Sequence, residues 1–414
     1  MDWDENSRPR LRQIEPVQLV LEGRPVIGFK DPLQLLDRML CVRQEVLPVV
    51  AMMDGQHTLR DVQTELTRSS GSIVFMDDIK AIVERLEDAC LLEGERFQDA
   101  FERKVQEYRR KPFRPASHAG TCYSNDPTAL GEELTALFTA DSGPGLPELA
   151  SDSRRPVGLI APHIDIRAGG RCFAKAYHAL ASGQPSDVYV ILGTGHAGVR
   201  GLFAATGLDF QTPLGTVQTD RELLGVLSRE LGRDPAAEEI LHATEHVIEF
   251  QLIFLQYLFA GRHSFTVLPV LCSLTYHLFD NDEGFSQQQQ LFKEFCAALK
   301  EACLRSGKSV CFIASADLDH IGPRYGDSFV PHQGTVRQSI EQDGKLLRAL
   351  ERIDVNEFIQ SVAREKDERR ICGFPPITTM FHCMEASEGR LLSLDYATVD
   401  SMNSFVSFSS MIFY

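Results

Sequence analysis

The chain has 414 residues, of which 43% are hydrophobic and 24% are charged, a composition typical of a globular protein with one large or two medium domains. Its formal net charge of -16 argues against nucleic-acid or anionic-membrane binding, because no surplus of Lys or Arg can displace counterions from phosphates. The ten cysteines form no CxxC pair, the N-terminus lacks a signal-peptide core, and no apolar run approaches the roughly 18 residues that span a bilayer. These features predict a cytoplasmic protein with reduced thiols.

Residues 1–97 are predicted to form a small winged-helix-like α+β domain. The two apolar runs of residues 17–29 are typical of a β-hairpin. Thr58, with Asp61 three residues later, predicts the start of one helix, and a second amphipathic helix leads to a short strand at residues 91–92. The pattern is also similar to small peptide-binding modules found beside radical-SAM enzymes. The slightly acidic charge of the segment favours a docking or structural role over DNA binding.

Residues 98–116 are rich in charge and end in prolines, which predicts an exposed helix and a linker. Residues 117–414 alternate apolar strands with amphipathic helices and end in the apolar segment "SFVSFSSMIFY". This alternation predicts an α/β domain with a mixed central sheet flanked by helices, closed by a C-terminal strand.

Four apolar runs end in side chains that are able to bind a metal ion. They are "VGLIAPHID" with His163, "DVYVILGTGH" with His196, "FTVLPVLCS" with Cys272, and "SVCFIASADLDH" with Asp317, Asp319 and His320. In open α/β sheets the carboxyl ends of the strands converge on a crevice where ligands bind. We expect Gly193 and Gly195 to let the chain leave its strand sharply and to direct His196 into that crevice.

His163, His196 and Asp319 are the predicted metal ligands. Two His and one carboxylate form the facial triad of non-haem Fe(II) enzymes, and the same three ligands also suit a catalytic Zn²⁺ with one water. The sequence pattern does not choose between these metals. Asp317 is expected either to support Asp319 from outside the ligand set or to cap a helix.

His246 stands at the start of a predicted helix, "ATEHVIEFQLIFLQYLF". The pKa of a histidine is readily tuned to the working range, so His246 is a candidate general acid or base beside the metal. The alternative is a structural histidine that pairs with Glu249, three residues further along the helix. A zinc hydrolase with His246 or Glu249 as base ranks last, because no HExxH motif is present.

Seven segments in order resemble the MEMO family, whose bacterial and archaeal members are often named AmmeMemoRadiSam system protein B. They are "RPASHAGTCYSNDPTALGEEL", "LIAPHID", "VILGTGH", "TEHVIEFQL", "LPVLCSL", "SADLDHIGPRYG" and "ICGFPPI". The resemblance extends over about residues 114–414 and leaves the N-terminal domain outside it.

This resemblance implies a fold similar to class III extradiol dioxygenases, with a metal site at the strand ends. The family's two ligand histidines fall on His163 and His196, and its helix histidine falls on His246. A Cys ligand of the animal members falls on Asp319, and the following His on His320, which makes His246 and His320 the implied catalytic residues. A Cys favours soft metals such as Cu(I), whereas Asp restores the carboxylate set of Fe(II).

The sequence allows two structural roles for Asp165 and two for the pair Cys372 and Gly373. Asp165 stands where the family usually has a small residue; it is either a further ligand or substrate contact, or a turn residue. Cys372 and Gly373 of "ICGFPPI" either shape the wall of the crevice or form a strand-to-helix turn.

Two functions follow as hypotheses. The first is an Fe(II)-dependent oxidoreductase of the dioxygenase type, with Zn or Cu as alternative metals. The second is a non-catalytic binding or metal-handling component that works beside a radical-SAM enzyme and an AMMECR1-type protein, with a small molecule or peptide in the crevice. Similarity of fold does not transfer chemistry, so the site itself must decide.

Overall fold

The computed structural model describes residues 3–414 except 13, 32, 34, 36–38 and 280–282. The chain folds into two compact units, Met1–Lys111 and Pro112–Tyr414. The segment expected to link the domains is mostly helical, because a helix at Glu95–Arg109 belongs to the first unit.

The first unit has a three-stranded antiparallel sheet and a core of its own. Its elements are β1 (Glu15–Leu21), β2 (Arg24–Lys30), β3 (Leu40–Arg43), α1 (Leu47–Ala51), α2 (Leu59–Ser70), α3 (Met76–Asp88) and α4 (Glu95–Arg109). The predicted hairpin is confirmed as β1 and β2. The predicted cap of α2 is confirmed too, since the side chains of Thr58 and Asp61 each accept a hydrogen bond from the other's backbone amide. The expected strand at residues 91–92 is reduced to a single bridge between Leu11 and Leu92.

The second unit is a layered α/β structure. Its elements are β4 (Phe113–Arg114), α5 (Pro127–Thr139), β5 (Gly158–Ala161), α6 (Ile166–Ser182), β6 (Val188–Thr194), β7 (Phe203–Ala205), β8 (Asp209–Thr212), β9 (Gly215–Val217), α7 (Arg221–Leu231), α8 (Val247–Phe259), β10 (Thr266–Cys272), α9 (Ser286–Ser306), β11 (Val310–Ser315), β12 (Asp317–Ile321), α10 (Gln333–Glu351), α11 (Val355–Arg364), α12 (Phe374–Cys383), β13 (Gly389–Thr398) and β14 (Phe405–Phe413). Among all the helices that the structure describes, none is long and apolar enough to cross a bilayer.

The central sheet has the strand order β12-β14-β5-β11-β6-β10-β7, with β13 paired to β14. Strands β5, β11, β6 and β10 run parallel, whereas β7, β12, β13 and β14 pair antiparallel. The predicted mixed α/β sheet and its C-terminal strand are therefore confirmed. Because the four parallel strands share one direction, their carboxyl ends lie along the same edge of the sheet.

Strand β6 is buried along its whole length because both of its faces are covered. On one face, Val188, Val190 and Leu192 pack into the core that also contains residues of α9 and α12. On the other face the ring of Tyr189 packs against Phe259 of α8, with ring centroids 5.9 Å apart. A strand that is covered on both faces has a continuous run of apolar residues, whereas a half-exposed strand alternates apolar and polar ones. Strand β6 has the continuous pattern.

The two glycines at the end of β6 act through close packing. Neither Gly193 nor Gly195 has a positive φ, so what these positions require of glycine is its small size and not a left-handed backbone. A Cβ on Gly193 would lie 2.3 Å from Cγ2 of Val247. The missing side chain therefore lets the first turn of α8 sit against the strand end, which brings His246 beside His196.

Candidate metal centre

His163 follows β5 and lies at the carboxyl edge of the sheet, where it is 2% exposed. Its backbone amide donates to Oδ1 of Asp317 at 2.9 Å, and its ring Nδ1 lies 3.0 Å from the carbonyl oxygen of Ser315. A carbonyl only accepts, so Nδ1 carries the proton and Nε2 is the nitrogen that accepts. The ring is thus held in the tautomer that a metal ligand needs.

His196 and His246 are held by one carboxylate, that of Glu245. Oε1 of Glu245 lies 3.0 Å from Nδ1 of His196 and 3.1 Å from Nδ1 of His246, and Oε2 accepts the amide of His196 at 3.0 Å. Burial alone would raise the pKa of Glu245, but its electrostatic interactions and hydrogen bonds with the two histidines lower it well below its usual range. Glu245 is therefore ionised and orients both rings.

The three imidazoles form a compact triangle. The ring centroids of His163 and His196 are 5.2 Å apart, those of His163 and His246 are 5.5 Å apart, and those of His196 and His246 are 5.2 Å apart. Burial, followed by the other two rings, lowers the pKa of His163 well below its usual value. Its imidazole is therefore neutral at pH 7 and available as a ligand.

Cys372 completes this group from the other side of the crevice. Its Sγ lies 3.2 Å from Nε2 of His163, and single donor atoms of His163, His196 and Cys372 all lie within 4.8 Å of one another. Two metal–ligand bonds of about 2.0–2.3 Å each span at most about 4.6 Å, so one ion fits between these donors after a small side-chain adjustment. The structure therefore assembles a site with two imidazoles and one thiol.

Gly373 is the reason that Cys372 reaches this place. A Cβ on Gly373 would lie 2.4 Å from the carbonyl oxygen of Asp317, and the Gly373 amide donates to that same oxygen at 2.9 Å. The backbone before α12 can approach the strand end this closely only without a side chain. The segment was expected to be a crevice wall or a turn; it forms the wall and also supplies a donor atom.

Asp319 is not brought to the histidines. Its carboxylate is fully buried and accepts from Arg369 at 2.6 Å and from Ser339 at 2.6 Å. Arg369 also donates to Asp343, whose pKa burial raises well above its usual value. The guanidinium draws the Asp319 side chain into the region between β12 and α10, so the predicted ligand set of His163, His196 and Asp319 does not form in the structure.

Asp317 is the carboxylate that lies beside the site. Its Oδ2 is 3.6 Å from Nε2 of His163, and burial raises its pKa to about 7. Asp317 was expected either to support Asp319 as the ligand or to cap a helix. Instead Asp317 supports the loop of His163, and Asp319 belongs to the arginine network.

The remaining predicted residues lie at the margin of the centre. The ring of His320 packs edge-on against Tyr325, its Nδ1 lies 3.0 Å from the carbonyl oxygen of Leu318, and burial lowers its pKa to about 4. Asp165 caps α6 by accepting the amide of Arg167 at 2.9 Å. Among the described residues, neither His320 nor Asp165 belongs to a group of potential metal ligands.

The expected alternative for His246, a pair with Glu249, is wrong. Glu249 is fully buried and forms an ion pair with Arg114, whose guanidinium also donates to the carbonyl oxygen of Glu245 at 2.6 Å. Glu249 accepts the amide of His118 as well, and the ring of His118 lies 5.6 Å from that of His246. This buried cluster supports the backbone that presents Glu245 and His246.

Sequence reasoning missed Glu245 and His118 and gave Cys372 no ligand role. The signal for Glu245 was an acidic residue directly before the helix histidine, and the signal for Cys372 was a thiol directly before a Gly-Phe-Pro-Pro helix start. An open cleft of about 320 Å³ adjoins the centre and is lined in part by His196, Cys372 and Phe374. The donors are therefore accessible to a small molecule.

The model of the family described as Memo-like protein matches residues 114–412. The chain belongs to the MEMO family. A MEMO1 family protein of Aquifex aeolicus is 25% identical over 412 residues, which is 98% of this chain and 100% of the relative.

Archaeal MEMO1 family proteins are similar to about two thirds of this chain. Identity is 34% over 270 residues with the protein of Methanococcoides burtonii, covering 65% of this chain and 86% of the relative. Identity is 32% over 288 residues with that of Methanopyrus kandleri, covering 68% of this chain and 90% of the relative. The match to the Aquifex MEMO protein, in contrast, runs through both units.

Proposed function

We propose that this MEMO protein binds one thiophilic transition-metal ion between His163, His196 and Cys372. The preferred ion is Cu(I). The observation that carries the proposal is the position of the Cys372 sulfur, 3.2 Å from Nε2 of His163 and within the same donor group as His196. Thiolate ligands select Cu(I) and zinc, and imidazole suits copper, zinc and iron. Two imidazoles and a thiolate therefore suit a soft ion better than two imidazoles and a carboxylate, the ligand set expected from the sequence, would.

The protein prepares the two imidazoles for this role. Nδ1 of His163 lies against the carbonyl oxygen of Ser315 and Nδ1 of His196 lies against the carboxylate of Glu245, so each ring is oriented with Nε2 as the nitrogen that would bind the ion. Cys372 must lose its proton on binding, because burial and then the nearby Asp317 raise the pKa of its thiol well above its ordinary value. Metal uptake is thus coupled to release of the Cys372 proton.

His246 is the residue that would handle protons beside the ion. Its Nδ1 is bound to Glu245, and its Nε2 has no hydrogen-bond partner among the described residues. The ring stacks on that of His196 and lies edge-on to that of His163, which makes this nitrogen suited to accept a proton from a molecule in the adjoining cleft. A bound copper or iron ion would supply one-electron chemistry and an open coordination position there.

The alternative, a non-haem Fe(II) oxidoreductase, requires a carboxylate ligand. Glu245 already accepts from Nδ1 of His196 and His246, so the carboxylate considered is that of Asp317, whose Oδ2 is 3.6 Å from Nε2 of His163. The two proposals therefore differ in which single side chain the metal needs. Cys372→Ser tests the thiolate site and Asp317→Asn tests the carboxylate site.

The experiment is a titration of the full chain with Cu(I), in competition with a chromophoric chelator, and with Fe(II) and Zn(II) in parallel under anaerobic conditions. We expect one Cu(I) per chain and a loss of affinity of at least about a hundredfold in Cys372→Ser, a large but typical effect of losing a primary ligand. Cys303→Ser, a half-buried thiol on α9, is the matched control and should bind as the wild type does. Unchanged Cu(I) affinity in Cys372→Ser, or Fe(II) binding that only Asp317→Asn removes, would refute the thiolate site.

A further inference from the structure

A second cleft, which shares no lining residue with the cleft at the metal centre, lies between α10 and α11. It has a volume of about 490 Å³, and its lining includes Lys345, Arg348 and Arg352, with Leu346 at its base. Leu346 is buried, whereas the three basic side chains are exposed. The cleft thus combines a small apolar floor with a cationic wall.

The three cations form a stripe on one face of the helix end. Lys345, Arg348 and Arg352 are spaced by three and four residues, so their side chains emerge on the same side of α10. Seven residues of helix at 1.5 Å each separate the first from the last by about 10 Å. Like charges at this spacing destabilise a helix slightly.

The carboxylates that face this stripe are already neutralised. Glu357 accepts from Arg364 at 2.7 Å, and Glu365 accepts from Arg369 at 2.7 Å. In contrast, Lys345, Arg348 and Arg352 have no ion-pair or hydrogen-bond partner in the part of the chain that the structure describes. Three uncompensated positive charges therefore share one cleft of a chain whose net charge is -16.

We propose that this cleft binds a small molecule that carries two or more linked phosphate groups. A lone phosphate would engage one or two of the cations, whereas a stripe of about 10 Å matches an oligophosphate chain. Guanidinium forks bind phosphate oxygens in a bidentate manner, and an ammonium adds a point charge. A volume of about 490 Å³ lies within the range of small-molecule sites, and Leu346 offers an apolar contact to the remainder of the ligand.

Cations near the C-terminus of a helix are also favoured by the helix dipole, which would make Arg348 and Arg352 purely structural. The two roles differ in what a substitution changes. A structural role predicts lower thermal stability of the unliganded protein and no effect on a ligand. A binding role predicts loss of the ligand with the fold intact.

The test is calorimetric titration of the full chain with inorganic tripolyphosphate in magnesium-free buffer. We expect saturable binding at one site, weakened about tenfold for each arginine removed in Arg348→Gln and in the double variant Arg348→Gln/Arg352→Gln. Arg171→Gln, which removes an exposed arginine of α6 that has no ion-pair partner among the described residues, is the matched control and should leave binding unchanged. His163→Ala should also leave it unchanged, which separates this cleft from the metal centre.

Two sources of the phosphate chain are separated by a second titration with a nucleoside triphosphate. Tighter binding than tripolyphosphate, lost in the double variant, supports the site and assigns the base to the apolar floor; equal binding supports the site for the phosphate chain alone. Absence of saturable binding, equal binding by the double variant, or stronger binding of a single-stranded oligonucleotide than of either small molecule would overturn the proposal. Thermal unfolding of the unliganded double variant shows whether its fold is intact.

Discussion

The sulfur of Cys372 lies 3.2 Å from Nε2 of His163, although 209 positions separate the two residues in the chain. The pairing depends on Gly373, whose backbone packs directly on the carbonyl oxygen of Asp317. It changes the chemical character of the site, because a thiol in place of a carboxylate favours soft ions. The first two predictions test this centre.

Metal uptake should expel a proton from Cys372. Its thiol pKa is raised well above the ordinary value by burial, so the thiol is protonated at pH 7, whereas the lowered pKa of His163 leaves that ring neutral. Each ion bound should therefore release about one proton, and the apparent affinity should fall by about tenfold for each unit of decreasing pH near neutrality. Calorimetry in buffers of different ionisation enthalpy measures the number of protons released per ion. A pH-independent affinity would contradict thiolate ligation.

Glu245→Gln should loosen the centre without removing a ligand. The neutral amide accepts the Nδ1 protons of His196 and His246 more weakly than the carboxylate that holds both rings. Loss of such a supporting group typically costs about 10- to 100-fold in metal affinity. The control is Glu238→Gln, a carboxylate that accepts the amide of Gly201 away from the rings. Equal affinities of both variants in the chelator competition would show that Glu245 is dispensable.

Asp319→Asn should lower the stability of the protein and spare the metal. The substitution removes one charge of the buried network with Arg369 and Ser339, and breaking a buried ion pair costs about 3 kcal/mol or more. Denaturant unfolding of the metal-free protein measures the loss in the free energy of unfolding. Metal affinity should stay within about threefold of the wild type, since the carboxylate points away from the donors. A loss of affinity as large as that of Cys372→Ser would restore Asp319 as a ligand.

His242 should make the protein sensitive to acid. The ring is 1% exposed, its Nε2 lies 2.8 Å from the carbonyl oxygen of Ala204, and burial lowers its pKa to about 4. An unfolded histidine titrates near 6.5, so the unfolded chain binds the proton first and the contribution of the neutral ring is lost as the pH falls from 6.5 towards 4. Relative to His242→Gln, the wild type should lose about 3 kcal/mol of unfolding free energy between pH 7 and pH 4. Parallel stability curves for the two proteins over this range would disprove the assignment.

The features that the sequence predicted correctly follow from short-range rules. The hairpin, the Thr58 cap and the strand ends at His163 and His196 each depend on residues a few positions apart. The convergence of parallel strands on one edge then placed the two histidines together. Local pattern was sufficient here because the sheet fixes where each strand end lies.

The features that it missed depend on contacts between distant residues. Asp319 was expected at the metal, but Arg369, 50 positions later, binds its carboxylate. Glu249 was expected to pair with His246, but Arg114, 135 positions earlier, is its partner. In both cases a buried guanidinium captures a carboxylate because leaving either charge unpaired in the interior is too unfavourable. The hydrophobic periodicity of a sequence does not indicate which distant arginine pairs with a given carboxylate.

One oxygen of Glu245 receives the Nδ1 protons of both His196 and His246. The two Nδ1–H groups therefore share one acceptor atom, and a stronger hydrogen bond from one ring weakens the hydrogen bond from the other. When His246 gains a proton it becomes the stronger donor and draws the electron density of that oxygen towards itself, and His196 becomes a poorer electron donor through its other nitrogen. The protonation state of His246 would thereby be felt at His196, so the affinity and redox potential of an ion bound by His196 would respond to proton transfer in the cleft.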